Sequence, residues 1–395
     1  MADTRQIYSI LNSINAQANT GASLVKTSVD FISYGETIAS LSDDGKETWF
    51  ATLLDRIGQT IMDNRAYTAK TVVPLYKTPF EYGSILQKIH AKNLTATEDK
   101  AFADPSLVST DPMAPVVHPV EQRIYNKQSV WQIKDTIPDV QLKTAFLSEE
   151  RMAAFFSNLM LTTQNSIERS MENLANITRS ALIAKTYLAG GAKVVKLVTA
   201  YNTAFSYSSG DPGYLTPGDE GVLYNRDFLR FASLQIALAI DRVQHMSDIF
   251  SKQYYERFTE RPFLQFSVLG CFDDAVSSYL ASDTYHEKLV MLPEENKYIA
   301  PFWQATGSGY AFGTVSKVNL ELQPESSSGA GDDIKLEKAG IIALINDSEA
   351  AGITLDERRV RSIYNPELEC TNYFHKARER WYVDDTQNAI VFTIE

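Results

Sequence analysis

SEERMAAFFSNLMLTTQNSIERSMENLANITRSALIAKTYLA, residues 148–189, contains neither Gly nor Pro. Ser148 suits an N-cap, Glu149 and Glu150 complement the positive end of a helix dipole, and Gly190 with Gly191 supplies the stop. Met152, Phe155, Phe156, Leu159, Ile167, Met171, Leu174 and Ile177 keep to one side at helical spacing. The stretch predicts one helix on the order of 60 Å long at about 1.5 Å per residue, with a bend expected near Gln164 and Asn165. A helix of that length is a spine on which other elements are hung.

Upstream of the spine the pattern changes from helical to extended. KTVVPLYKTPFEYGSILQKIH, residues 70–90, is rich in β-branched and aromatic residues, and Pro74 and Pro79 argue against helix. Residues 80–93 are expected to form one arm of a ribbon, and 122–137, with Ile124, Val130, Trp131 and Ile133, the returning arm. Between them lies a polar tip with Pro105, Pro112, Pro115 and Pro119. Arms of about a dozen residues reach roughly 40 Å at 3.3 Å per residue. A two-stranded ribbon is marginal in water by itself, so this one needs a surface to lie against.

Further upstream, Trp49, Phe50, Leu53, Leu54, Ile57, Ile61 and Met62 predict a helix over 47–66. Residues 1–45 read as a partly helical arm in which Ile7, Leu11 and Ile14 recur at spacings of four and three. Downstream, helices are expected at 226–256 and 272–282, the second after the strand-like FLQFSVLGC. Residues 206–220 and 324–333 read as exposed loops. GIIALINDSEAAGI, residues 340–353, opens as a buried strand and breaks off into Asn346, Asp347, Ser348 and Glu349, which raises the question of chemistry against architecture. The C-terminal segment reads as two strands joined by the turn DDTQN.

Motifs for chemistry are missing. GSGYAFG, residues 307–313, has its glycines in the wrong places for a dinucleotide fingerprint, and no phosphate-loop sequence occurs. His286-Glu287 begins like a zinc-protease helix, but Val290 stands where the second His belongs. His90, His118, His245, His286 and His375 belong to no local ligand motif, and Cys271 and Cys370 have no metal or redox spacing. No catalytic residue, metal site or cofactor is therefore expected. A net charge of -12 argues against a surface built to grip a phosphate backbone. The N-terminus is not a signal peptide, and no run approaches the roughly 18 apolar residues of a membrane span, so no membrane partner is expected. Two cysteines without a framework fit a reducing cytosol.

The order of elements, together with EYGSILQKI at 81–89, IIALINDSEAAGI at 341–353 and the ending YNPELECTNYFHKARERWYVDDTQNAIVFTIE, resembles the major capsid proteins of tailed bacteriophages, the Hong Kong 97-type fold. The resemblance implies an α+β chain with an N-terminal arm (1–45), a peripheral domain (46–79, 136–199 and 361–395, the spine at about 148–189), an extended β-hairpin loop (80–135) and an α/β axial domain (200–360). It implies a structural protein that self-assembles as pentamers and hexamers into an icosahedral shell around double-stranded DNA. The shell would assemble in the host cytoplasm and reside in the virion. Portal and decoration proteins are further partner classes. Only some 45 residues precede the first firm helix, so a separate scaffolding protein or a trimmed precursor is expected. An acidic chain suits weak, non-specific contact with packaged DNA.

A ribbon reaching far from its own core leaves Ile85, Leu86, Ile89, Val130 and Trp131 short of local cover, so they are candidate intersubunit contacts. Trp131 and Trp381 fit interface anchoring and core packing equally. Two basic clusters, Arg358, Arg359 and Arg361 and then Lys376, Arg378 and Arg380, with Asp356, Glu357 and Glu379 among them, read either as a solvated, salt-bridged face or as a charge contact between subunits. Two alternatives stand beside the phage shell: an encapsulin-type nanocompartment holding protein cargo, and a soluble cytosolic α/β enzyme or binding protein.

Overall fold

The computed structural model describes residues 11–16, 23–41, 86–91, 120–125, 127–138, 149–251, 256–281, 296–304, 311–322 and 334–395, with isolated positions between. The helix expected at 47–66 and the tip of the ribbon lie almost wholly outside these residues. The chain divides into two compact units, Met1–Phe80, Gln128–Ala175 and Ile353–Arg380 forming one, Glu81–Lys127, Asn176–Gly352 and Trp381–Glu395 the other.

In the first unit, helix α1 (Ser28–Ser40) starts at Thr27, whose hydroxyl caps the amide of Asp30 while the Asp30 carboxylate accepts from the Thr27 amide. This reciprocal capping box fixes the start of a helix within the segment that reads as an arm. Tyr34 is fully buried and accepts a 2.8 Å bond from the indole of Trp49. Burial, with the Trp49 bond working against it, pushes the Tyr34 hydroxyl up to about 12. The arm thus carries its own apolar cluster, with Leu11, Ile14, Val25 and Ile38.

The first unit also holds most of a three-stranded sheet in the order β10 (Ala351–Asn365), β11 (Cys370–Val383), β3 (Gln128–Pro138). β3 and β11 are antiparallel, with Trp131 opposite Ala377 and Val130 opposite Arg378. Alternation along β11 puts Thr371, Tyr373, His375, Ala377 and Glu379 inside, and Phe374, Lys376, Arg378 and Arg380 on the other face.

The spine is a single helix, α2 (Glu149–Ala189), one residue shorter at its start than the sequence stretch. Residues 149–175 belong to the first unit and 176–189 to the second. Ile167 and Leu174 are buried as expected, but Ile177 is 41% exposed. From Thr178 to Ala184 every side chain is buried; Ser180 donates to the Trp303 carbonyl at 3.2 Å, and the Arg179 guanidinium lies 3.9 Å from the centre of the Tyr298 ring.

The second unit is built on a five-stranded mixed sheet in the order β4 (Val194–Lys196), β12 (Ala389–Thr393), β9 (Ile341–Asp347), β5 (Leu264–Leu269), β6 (Lys297–Ala300). β9 is the centre, antiparallel to both neighbours, and its continuous apolar run is what a strand covered on both faces requires. Gly340 enters β9 at φ +84°, and a Cβ there would lie 2.9 Å from Ile394. The polar residues after β9 serve architecture: Asp347 accepts from Thr259 at 2.7 Å and from the Glu349 amide at 2.8 Å, and the Ser348 amide bonds Phe263. Helices α3 (Leu197–Ala204), α4 (Arg226–Val243) and α5 (Gly270–Ala281) complete the unit; α4 stops thirteen residues short of the expected 256.

Two expectations about strand pairing change. The returning arm is not one strand: β1 (Leu86–Ala91) pairs with β2 (Val120–Tyr125), while β3 pairs with β11 in the other unit. β3 gains cover for Trp131 and Ile137 in a three-stranded sheet, which a bare ribbon could not supply. The two C-terminal strands do flank DDTQN, but they do not pair. β11 lies in the three-stranded sheet and β12 in the five-stranded one, so residues 361–395 are shared between units.

Candidate functional site

The β1–β2 ribbon pairs Lys88 with Arg123, Ile89 with Gln122, His90 with Glu121 and Ala91 with Val120. One face therefore carries Lys88, His90, Glu121, Arg123 and Tyr125, the other Gln87, Ile89, Ala91, Val120, Gln122 and Ile124. The charged face is the one turned to its own unit. Lys88 Nζ lies 3.2 Å from the buried Asp384 carboxylate, donates to the Glu349 carbonyl at 2.8 Å, and sits 4.6 Å from the centre of the Tyr382 ring. Arg123 pairs with Asp385 and with Glu121, and Tyr125 packs its ring 5.6 Å from Tyr382. Burial alone would raise the Asp384 carboxyl, but Lys88 and the hydroxyl and amide of Thr386 outweigh it and hold the group below its ordinary value. Burial, then Arg257, lowers His90.

The outward face is the apolar one. Ile89 is 66% exposed, Val120 63% and Ile124 55%. A second ribbon in the same unit provides the comparison. In β7 (Val318–Leu322) and β8 (Ile334–Lys338), Val318, Leu320 and Leu336 are buried, while Asn319, Glu321, Lys335 and Glu337 face solvent. That is the ordinary polarity of a surface ribbon; β1–β2 reverses it.

The sequence candidates separate by environment. Ile85 lies outside the described residues, and the register places Leu86 opposite Tyr125. Ile89 and Val130 are exposed, the first in the second unit and the second in the first. Trp131 and Arg358 converge on Glu379, which is fully buried: the indole donates at 3.1 Å and the guanidinium at 3.4 Å. Burial lowers Arg358, with Glu379 opposing it. Arg358 is thus part of the subunit's interior. Arg359, paired with Glu357, and Arg361 remain on the outer face.

Sequence reasoning missed the clasp. Its signal was the strict alternation of charged and uncharged residues in LQKIHA and VEQRIY, together with the paired Asp384 and Asp385, which read only as turn residues. Cys271 and Cys370 are free thiols, and among the described residues no group of His, Cys, Asp or Glu could hold a metal ion. No described helix is long and apolar enough to cross a membrane.

Comparison with known proteins identifies relatives. The family described as Phi29-like phage major capsid protein matches residues 11–393. The capsid structure of Staphylococcus phage Andhra superposes with a TM-score of 0.53 at 10% identity, covering 82% of this chain and 84% of that one. A chain from the structure of the head fiber and inner core protein gp22 of native bacteriophage P68 gives 0.50 at 10% identity, over 81% and 83%. No curated protein sequence matches.

Proposed function

We propose, because the chain belongs to the Phi29-like phage major capsid protein family, that its copies close into an icosahedral head of pentamers and hexamers around double-stranded DNA. Membership of that family makes it a structural head-shell protein and virion component, with no enzymatic role, and its fold is mixed α+β. The proposal assigns the Hong Kong 97-type parts to the chain. Residues 81–127, which carry the β1–β2 ribbon, are the extended loop, β3 falling instead in the three-stranded sheet; α2 is the spine of the peripheral domain, and the five-stranded sheet with its helices the axial domain. A separate scaffolding protein, a portal and decoration proteins complete the assembly, and contact with packaged DNA is weak.

The observation that carries the self-assembly reading is the reversed polarity of the β1–β2 ribbon, which leaves Ile89, Val120 and Ile124 exposed. Three exposed β-branched residues on one face, repeated in every subunit of a closed symmetric shell, accumulate avidity from individually modest contacts. Family membership favours a DNA-filled head over a protein-filled compartment or an enzyme.

The test is the purified chain followed by size-exclusion chromatography and negative-stain microscopy. Wild type is expected as pentamers, hexamers or hollow shells, and Ile89→Lys with Ile124→Lys as folded subunits that do not close. A compact wild-type monomer at every concentration would refute the assembly reading.

A further inference from the structure

The outer face of the β10–β11–β3 sheet is basic on a strongly acidic chain. The register sets Lys134 opposite Phe374, Gln132 opposite Lys376 and Val130 opposite Arg378, all on the solvent side. Arg380 continues this row, and Arg359 and Arg361 bring it onto β10. Against these six cations the face carries Asp356 and Glu357, which bind Arg378, Arg380 and Arg359. Lys134, Lys376 and Arg361 make no ion pair among the described residues. The two lysines flank the Phe374 ring, each 5.9 Å from its centre. Exposed Val130 adds an apolar contact in the middle, and β3 is the edge of the sheet.

The carboxylates of this face are taken up by Arg378, Arg380 and Arg359, leaving Lys134 and Lys376 beside the Phe374 ring, and Arg361 on β10, with no carboxylate partner among the described residues. With a net charge of -12 for the whole chain, the remainder of the surface is more acidic still, so the complementary object nearest to hand is the protein itself. We propose that this sheet face docks the carboxylate-rich surface of a second copy of the chain, with Lys134, Arg361 and Lys376 supplying the charge and Val130 the apolar centre. The inference rests on the shell reading and adds to it a second contact, in the first unit and electrostatic in kind, where the ribbon contact is apolar. A head-to-tail contact of unlike patches is also what generates a ring. Duplex DNA fits less well: the two carboxylates break the row, and the field of an acidic chain repels a long polyanion.

The experiment compares wild type with the triple variant Lys134→Glu, Arg361→Glu, Lys376→Glu, and with the neutral triple Lys134→Gln, Arg361→Gln, Lys376→Gln. The concentration at which shells or rings form is read by light scattering and microscopy, at salt of about 50 mM and about 500 mM, a range over which the screening length falls severalfold. Thermal melting of the unassembled subunit controls for folding. The wild-type threshold should rise with salt. The Glu triple should raise it at least about tenfold at low salt with an unchanged subunit melt, the Gln triple falling between, and the variants should lose the salt dependence. Assembly of both triples at the wild-type threshold would overturn the proposal while leaving the shell reading intact; a wild-type chain that never associates would sink both. Binding of a short DNA duplex by unassembled wild type, lost in the Glu triple, would reassign the face to nucleic acid.

Discussion

Lys88→Met removes the cation that holds Asp384 charged inside the protein, and its effect can be worked through from the clasp. Asp384 is 1% exposed, so its carboxylate loses most of its hydration. Removing one member of a buried pair costs about 3–5 kcal/mol. Three features reduce that figure here. The Lys88 side chain is 22% exposed, Thr386 still donates through its amide at 3.0 Å and its hydroxyl at 2.7 Å, and Arg257 retains a favourable influence. The expected loss is about 2–3 kcal/mol, which is a roughly 30- to 150-fold rise in ribbon opening at about 1.4 kcal/mol per factor of ten. Hydrogen exchange of the β1 and β2 amides reads it directly. The sign with pH is diagnostic. In wild type the folded Asp384 is depressed, so its contribution is fully present above the unfolded carboxyl value and is lost as pH falls through the lower folded value. From about pH 7 to about pH 5 the Asp384 contribution should therefore stay constant, and the wild-type ribbon should lose protection only through His90, whose lowered value makes its protonation oppose folding. Without Lys88, burial opposes the anion with less to offset it, so protection of the variant should rise relative to wild type over the same fall in pH. Equal exchange in the two proteins, or equal pH slopes, would refute the clasp.

Glu379→Gln leaves Arg358 buried without its counter-charge and should destabilise the first unit by about 3–5 kcal/mol in chemical denaturation; Arg358→Met in the same background should recover part of the loss. Gly340→Ala forces a Cβ into a positive-φ position 2.9 Å from Ile394 and should cost about 1–3 kcal/mol, measured by thermal melting of the unassembled subunit. Replacing residues 94–119, which leaves β2 whole, with a short turn should keep the subunit melt near wild type and abolish closed shells in the microscope, whereas global unfolding would show that the segment belongs to the subunit's own core.

Much of this architecture follows from local patterning. The spine is legible because a Gly-free and Pro-free stretch with polar caps has one low-energy conformation. β9 is legible because five consecutive apolar residues ended by Asn346 and Asp347 suit a strand covered on both faces. The capping box at Thr27 was equally visible and was passed over in a segment whose small, polar residues suggested an arm. Pairing was harder. Val130 and Trp131 look alike as ribbon residues, yet one is exposed and the other bonds a buried Glu379, because β3 joins β11 from more than two hundred positions away.

The amino-acid order alone determined the spine helix, the central strand β9, the acidic balance and the absence of catalytic motifs, since each depends on neighbours a few residues apart or on sums over the chain. Which face of the ribbon turns outward, where Arg358 goes and which cations stay unneutralised were decided by tertiary structure. Those outcomes depend on carboxylates that meet their partners through the fold: Asp384 reaches Lys88 from almost three hundred positions away, and Glu379 joins Trp131 from 248 positions away and Arg358 from 21. An ion's worth is set by its burial and its partner, and neither is written in the local sequence.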